Sequence, residues 1–400
     1  MRRSTVPLLL AALAVLVAAC EKKAPPAPSS PSASAPAAAS TGAPPANTDT
    51  LLLGQVGSLT GSEATFGVSA RNGISLAIAE ANAAGGVKGK KLELRVYDSQ
   101  GRPEEAAQAA TRLITQDKVA VILGEAASTN SMAMAEKAQA AGVPMITPTS
   151  TNPAVTRRGD YIFRVCFIDP FQGFVMAKFA RENLKLNRVA VLQDNKSDYS
   201  VGLTNVFSRK FSEMGGAIVA TQSYSKGDTD FRAQITAFKQ ARPEALFVPG
   251  YYTDVGLIAR QARELGLAVP LLGGDGWESD KLFELGGAAI EGSYYSNHYS
   301  VDNPDARVQE FITKYKATYG GAMPDSVAAL AYDAAKLAID AMKRAPDLSG
   351  ASIRDAIAAT KDFPGVGGTI NLDKNRDAVK EAVILQVQGG KTKFVTTVKP

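Results

Sequence analysis

Cysteine, histidine and tryptophan are almost missing from this 400-residue chain, which has two, one and one of them. With Cys20 at the end of an apolar leader, the folded part keeps one cysteine, Cys166, so no internal disulfide is available. A single histidine, His298, leaves no ligand set for a zinc site of the Cys/His kind and one candidate for a histidine base. That candidate lies in "YYSNHYS", which reads as a strand end, not a catalytic loop. Cys166, between Val165 and Phe167, reads as a small buried hydrophobe. Basic runs and arginine–aromatic stripes are absent too, so nucleic acid is not an expected partner. The glycine-rich stretches carry no phosphate or nucleophile signature. "GQVGSLTG" lacks the lysine of a P-loop, "GGDGWE" does not fit a dinucleotide fingerprint, and "GEAAS" does not fit a nucleophile elbow. With neither a base–nucleophile pair nor a metal set, an enzyme is not expected, nor is a cofactor.

What is present begins with "MRRSTVPLLLAALAVLVAAC". Arg2 and Arg3 precede an apolar run, Pro7 to Val17, too short to span a bilayer comfortably, and small residues close it before Cys20. The pattern resembles a bacterial lipoprotein signal, which implies residues 1–19 as a leader and acylation of Cys20, holding the protein to a lipid membrane without spanning it. Residues 20–50 are rich in proline, alanine and serine and contain no aromatic residue, so they read as a disordered tether. About 350 residues follow, enough for two lobes.

In that part, short apolar runs alternate with helical patterns. "LLLGQVGSL", "KLELRVYDS", "VAVILGEAAS" and "VPMITPTST" are expected strands with helices between them. After "DYIFRVCFIDPFQG" the rhythm restarts with "NRVAVLQDN", "AIVATQSYS", "EALFVPGYY" and "VPLLGGDG". Two further helices, "DARVQEFITKYKATYG" and "DSVAALAYDAAKLAIDAMKRA", precede strands and a hairpin turning at Gly389-Gly390. The class is α/β, two doubly wound parallel-sheet units, for which ligands bind at the carboxyl ends of the strands.

Those ends share a chemistry. Phe66 follows the first strand, Ser128 the third, and Thr149 and Thr151 the fourth; Tyr199, Tyr251, Asp275 and Trp277 follow strands of the second unit. Hydroxyls at helix N-termini suit a carboxylate, because free backbone N–H groups and the helix dipole favour an anion there. Asp275 suits an ammonium. Plainer readings stand beside these: Asn152 as an N-cap with Pro153 opening a helix, Ser128 as a cap, Asp275 as a turn residue, Tyr252 in place of Tyr251, and Trp277 as a core or rim aromatic.

In order and spacing, "GSLTGSEATFG", "VPMITPTSTNPAVT", "FRVCFIDPFQG", "GGDGW" and "AALAYDAAKLA" resemble the type I periplasmic binding proteins, in particular the leucine/isoleucine/valine-binding branch of amino-acid ABC transporters. The resemblance implies two lobes joined by a three-strand hinge, residues 51–168 with 301–368 in one and 169–300 with 369–400 in the other. It implies Ser128 and Thr151 on a ligand carboxylate, the Thr149 carbonyl and Thr151 hydroxyl on its ammonium, and Asp275 at the family's acidic position, often glutamate. Tyr199 and Tyr251 would close over the ligand and Phe66 would line its side-chain pocket. The implied partners are a neutral aliphatic amino acid and an ABC permease, for a monomer in the periplasm or cell envelope. A ligand-sensing receptor subunit, or a binder of another small carboxylate or amide, is the alternative.

Overall fold

The structure, a computed structural model, describes residues 49–400. Cys20 and the leader and tether expected around it lie outside the described residues.

The first sheet has five parallel strands: β1 (Thr50–Gly57), β2 (Lys91–Asp98), β3 (Val121–Leu123), β4 (Met145–Thr147) and β5 (Ile162–Arg164), in the order β2-β1-β3-β4-β5. α1 (Ala64–Ala83), α2 (Pro103–Arg112) and α3 (Ser128–Ala141) make the crossovers. Proline at the start of α2, with Glu104 and Glu105 in its first turn, fits both the missing N–H and the positive helix end. The central strands are buried, so they are short continuous apolar runs.

α4 (Asp169–Lys178) leads into a second sheet: β6 (Arg188–Asp194), β7 (Ala217–Tyr224), β8 (Ala245–Phe247), β9 (Leu271–Gly273) and β10 (Tyr294–Asn297), all parallel. α5 (Asp198–Glu213), α6 (Arg232–Ala241), α7 (Tyr252–Glu264) and α8 (Asp280–Gly286) lie between these strands. The chain then returns to the first sheet with α9 (Ala306–Thr318), α10 (Ser326–Arg344) and α11 (Gly350–Ala358). α10 seats on α1, where a Cβ on Gly73 would stand 2.1 Å from the Ala328 carbonyl oxygen. A small hairpin, β11 (Phe363–Gly365) with β12 (Gly368–Ile370), precedes the last crossing. β13 (Ala382–Gln388) and β14 (Lys391–Val398) finish the second sheet antiparallel. Gly389 and Gly390 join them with φ of 64° and 69°, the positive angles a two-residue hairpin turn requires. The seven strands run β14-β13-β10-β9-β8-β6-β7, and the chain passes between the sheets three times.

Three features depart from the sequence reading. Asn152 caps no α-helix: its side chain accepts from Ala154 N at 2.9 Å and the chain goes on as turns and a single 3₁₀ turn, Thr156–Arg158. α8 and α11 were not expected, being seven and nine residues of weakly periodic sequence. The loop 150–156 is ordered instead by Arg164, whose guanidinium is fully buried. It donates to the carbonyls of Ser150 and, at 2.8 Å, Asn152, and pairs with Asp377 at 2.6 Å on the third crossing.

Arg164→Met removes one member of that buried pair and strands the Asp377 carboxylate. A loss of roughly 3–5 kcal/mol in unfolding free energy is expected, measured by equilibrium urea unfolding.

Candidate functional site

The parallel strands of both sheets point their carboxyl ends at one cleft, with about 330 Å³ of empty space. Phe66, Ser128 and Thr149 line it from the first lobe and Tyr199, Tyr251 and Asp275 from the second. Six of the eight expected ligand residues are therefore brought together.

Their local contacts show how each is aimed. Ser128 is the first residue of α3, after Ala127 as N-cap, so it does not cap its own helix; its Oγ accepts from Asn152 N at 3.2 Å. Thr149 Oγ1 donates to the Ala126 carbonyl at 3.3 Å. Tyr199 opens α5 and stacks on Tyr251, centroids 5.4 Å apart and planes 17° apart. Phe66 meets Tyr251 edge-on at 5.8 Å and Tyr252 at 5.0 Å, an offset that aromatic quadrupoles favour. Tyr251 faces the cleft, whereas the Tyr252 hydroxyl accepts from Thr65 N across the lobes at 3.2 Å.

Two expected residues are not on the cleft wall. Trp277 is fully buried in the core of the second lobe. The turn Asp275–Trp277 tucks its indole beneath the sheet against Gly273, and its Nε1 donates to the Val248 carbonyl at 2.9 Å. Thr151 sits behind the wall, buried, with its hydroxyl unpartnered.

Beside Thr151 lies Asp169, the first residue of α4, 1% exposed and with both carboxylate oxygens unpartnered. Burial pushes its carboxyl up to about 8, opposed by the Thr151 hydroxyl and reinforced by the nearby Asp275 charge. Asp275 is better provided for: Oδ1 accepts from Gln172 Nε2 at 2.7 Å, and Oδ2 meets His298 Nε2 at 2.9 Å. Asp169, Gln172 and His298 were missed in the sequence reading. The first two sit in "FIDPFQG", and His298 directly follows β10, beside β9, which leads into Asp275. The β9–β10 register sets Tyr295 opposite Gly273, so the residues that follow the two strands, Asp275 and His298, come out at the same edge. Ser326 and Val327, at the start of α10, complete the lining and had no signal of their own.

The lobes touch around the cleft. Lys226 Nζ pairs with Glu63 at 2.6 Å and donates to the Gly101 carbonyl at 2.8 Å. Thr65 and Ser279 hydroxyls meet at 3.0 Å, and Thr253 donates to the Ser62 carbonyl at 2.6 Å. Burial raises Glu63 to about 7 against the pull of Lys226. The arrangement is a closed cleft with hydroxyl and amide donors on one wall, a carboxylate on the other, and an aromatic lining.

The profile of the periplasmic binding protein family matches residues 50–392. The leucine binding protein LivK of Thermotoga maritima is 40% identical, with a TM-score of 0.82 over 88% of this chain and 99% of that one. LivJ of Streptococcus pneumoniae, a branched-chain amino acid transporter substrate binding protein solved with isoleucine, is 36% identical, with a TM-score of 0.83 over 88% and 100%. A solute binding protein of an ABC transporter from Rhodopseudomonas palustris, solved with 3,4-dihydroxybenzoic acid, is 28% identical, with a TM-score of 0.78 over 88% and 98%.

The raised Asp169 carboxyl has a thermal consequence. Between 3.8 and about 8 the folded chain holds a proton that the unfolded chain has released, so this group's contribution to stability declines as pH rises across that window. Asp169→Asn removes the titration. Its melting temperature should match wild type near about pH 4 and exceed it increasingly toward about pH 8, followed by scanning calorimetry of the ligand-free protein.

Proposed function

Because the chain belongs to the periplasmic binding protein family, on its leucine/isoleucine/valine-binding branch, we propose that it is a lipid-anchored extracytoplasmic protein that captures a neutral aliphatic α-amino acid and delivers it to an ABC permease. The carrying observation is the opposition across one cleft of Ser128 and Thr149 to Asp275, with Phe66, Tyr199 and Tyr251 filling the space around them. A zwitterion fits that polarity. Its carboxylate takes the Ser128 hydroxyl and the α3 N-terminal amides. Its ammonium takes Asp275 and the Thr149 carbonyl. Its side chain lies against the aromatic residues, whose apolar surface suits an aliphatic group.

Ligand would bind the open form from the first lobe and stabilise the closed form through contacts with the second, shifting an equilibrium that the three interlobe crossings allow. The isoleucine bound to LivJ supports an amino acid. The 3,4-dihydroxybenzoic acid bound to the Rhodopseudomonas protein marks the rival, a carboxylate without an ammonium.

Asp275→Asn keeps the size but leaves the ligand ammonium buried without a counter-charge. It should cost roughly 2–5 kcal/mol of binding free energy, or roughly a 30- to 5,000-fold loss of affinity. Thr151→Val should weaken binding less, since Thr151 backs the cleft wall and does not line it. Calorimetric titration of wild type and both variants against the proteinogenic α-amino acids reads this directly; unchanged affinity in Asp275→Asn contradicts the reading.

The anchor makes a separate prediction. Cys20→Ser should move the protein from the membrane fraction to the soluble one with ligand affinity unchanged, because the proline- and alanine-rich segment after Cys20 carries no aromatic residue to couple the anchor to the cleft. Fractionation and titration of the same preparation check both halves.

A further inference from the structure

Among the described residues, His298 lines both the ligand cleft and a second cavity, with about 1150 Å³ of empty space, behind the crossing segments. Its imidazole is stacked on Phe167, centroids 3.8 Å apart and planes 30° apart, and is almost wholly buried. Nε2 faces Asp275 Oδ2 at 2.9 Å; Nδ1 has no partner. A carboxylate has no proton to give, so Nε2 carries it and donates. Gln172, on α4, makes the matching contact to the other carboxylate oxygen at 2.7 Å.

Both partners that hold Asp275 are thus uncharged donors. Burial lowers the basicity of His298, the Asp275 charge works against that, and the Lys380 ammonium, buried on the same side, adds to it. A second ring proton would sit at Nδ1, where a buried N–H finds no acceptor, so geometry and burial both favour the neutral ring. A carboxylate offers about four lone-pair positions, and the two donors occupy one on each oxygen. The charge itself is not cancelled, as it would be by arginine or lysine. An ammonium entering the cleft meets a carboxylate already oriented and held by hydrogen-bond donors in place of an arginine or lysine.

We propose that His298 is a positioning residue for ligand charge: with Gln172 it holds the Asp275 carboxylate toward the cleft without neutralising it, and so selects ligands that carry an α-ammonium over the same carboxylates without one. The inference rests on the amino-acid reading above and deepens it.

The test is the ratio of affinities for L-leucine and 4-methylpentanoate, which differ only in the α-ammonium, measured by calorimetry on the full chain. His298→Leu removes the donor at similar volume. It should lower the leucine preference by about tenfold or more, the scale of a hydrogen bond to a charged group, with 4-methylpentanoate affinity little changed. His298→Gln places an amide N–H at about the same reach and should restore most of the ratio. His298→Asn, one methylene shorter, should not, and takes the place of His298→Leu if the leucine variant fails to fold. A merely packing role would not respond to the length of an amide side chain. If the wild type does not prefer leucine over 4-methylpentanoate, the amino-acid reading itself falls. If it does, and the folded His298→Leu and His298→Asn variants keep the full ratio, the reading stands and the positioning role is overturned.

Discussion

A guanidinium buried without compensation would unfold this protein, and the way Arg164 is compensated determines the shape of the cleft. Its N–H groups reach two backbone carbonyls of the loop after β4, the Thr156 hydroxyl, and the Asp377 carboxylate far along the chain. An arginine can satisfy that many acceptors because its donors form a rigid planar fork. The contact fixes Thr149 and Thr151 in space and ties the first sheet to the third crossing. The short strand β4 has only three residues of ladder, too few to hold the loop 150–156 by itself. The buried charge does what the backbone ladder cannot.

The polar groups around the cleft divide into satisfied and unsatisfied ones. Asp275 has a donor on each oxygen. Asp169 and the Thr151 hydroxyl have none of normal hydrogen-bond geometry, although they influence each other and both are almost completely buried. Buried polar groups without partners cost stability, and those that persist beside a cleft mark where a fold gives up stability for recognition. The interlobe contacts act in the same setting. Lys226 with Glu63 and Thr65 with Ser279 exist only while the lobes are together, so their strength biases the open–closed equilibrium on which capture and release depend.

Much of this was legible because parallel α/β sheets impose an address. Once the alternation of strands and helices is read, the residues just past each strand must gather at one edge, and Phe66, Ser128, Thr149, Tyr199, Tyr251 and Asp275 do so. What failed has a common cause. Trp277 is two residues past Asp275, but a tight turn reverses its direction into the core. Asn152 and Pro153 have the composition of a helix start, yet the chain continues as turns to meet Arg164. His298 lies just past the end of a strand, β10; its importance comes from the neighbouring strand in the sheet, and strand order is not written in local sequence. Local pattern gives the elements and their ends, while side-chain direction and long-range pairing decide which end residues face the ligand.

The central claim is that the cleft holds an α-amino acid with its ammonium on Asp275 and its carboxylate on the first lobe. A crystal structure grown with saturating L-leucine tests it most directly. The account predicts the ligand nitrogen within hydrogen-bond distance of the Asp275 carboxylate and the Thr149 carbonyl, its carboxylate at Ser128, and its side chain against Phe66 and Tyr251. A ligand bound in the reverse sense, with its nitrogen away from Asp275, or a cleft left empty of leucine, would contradict it.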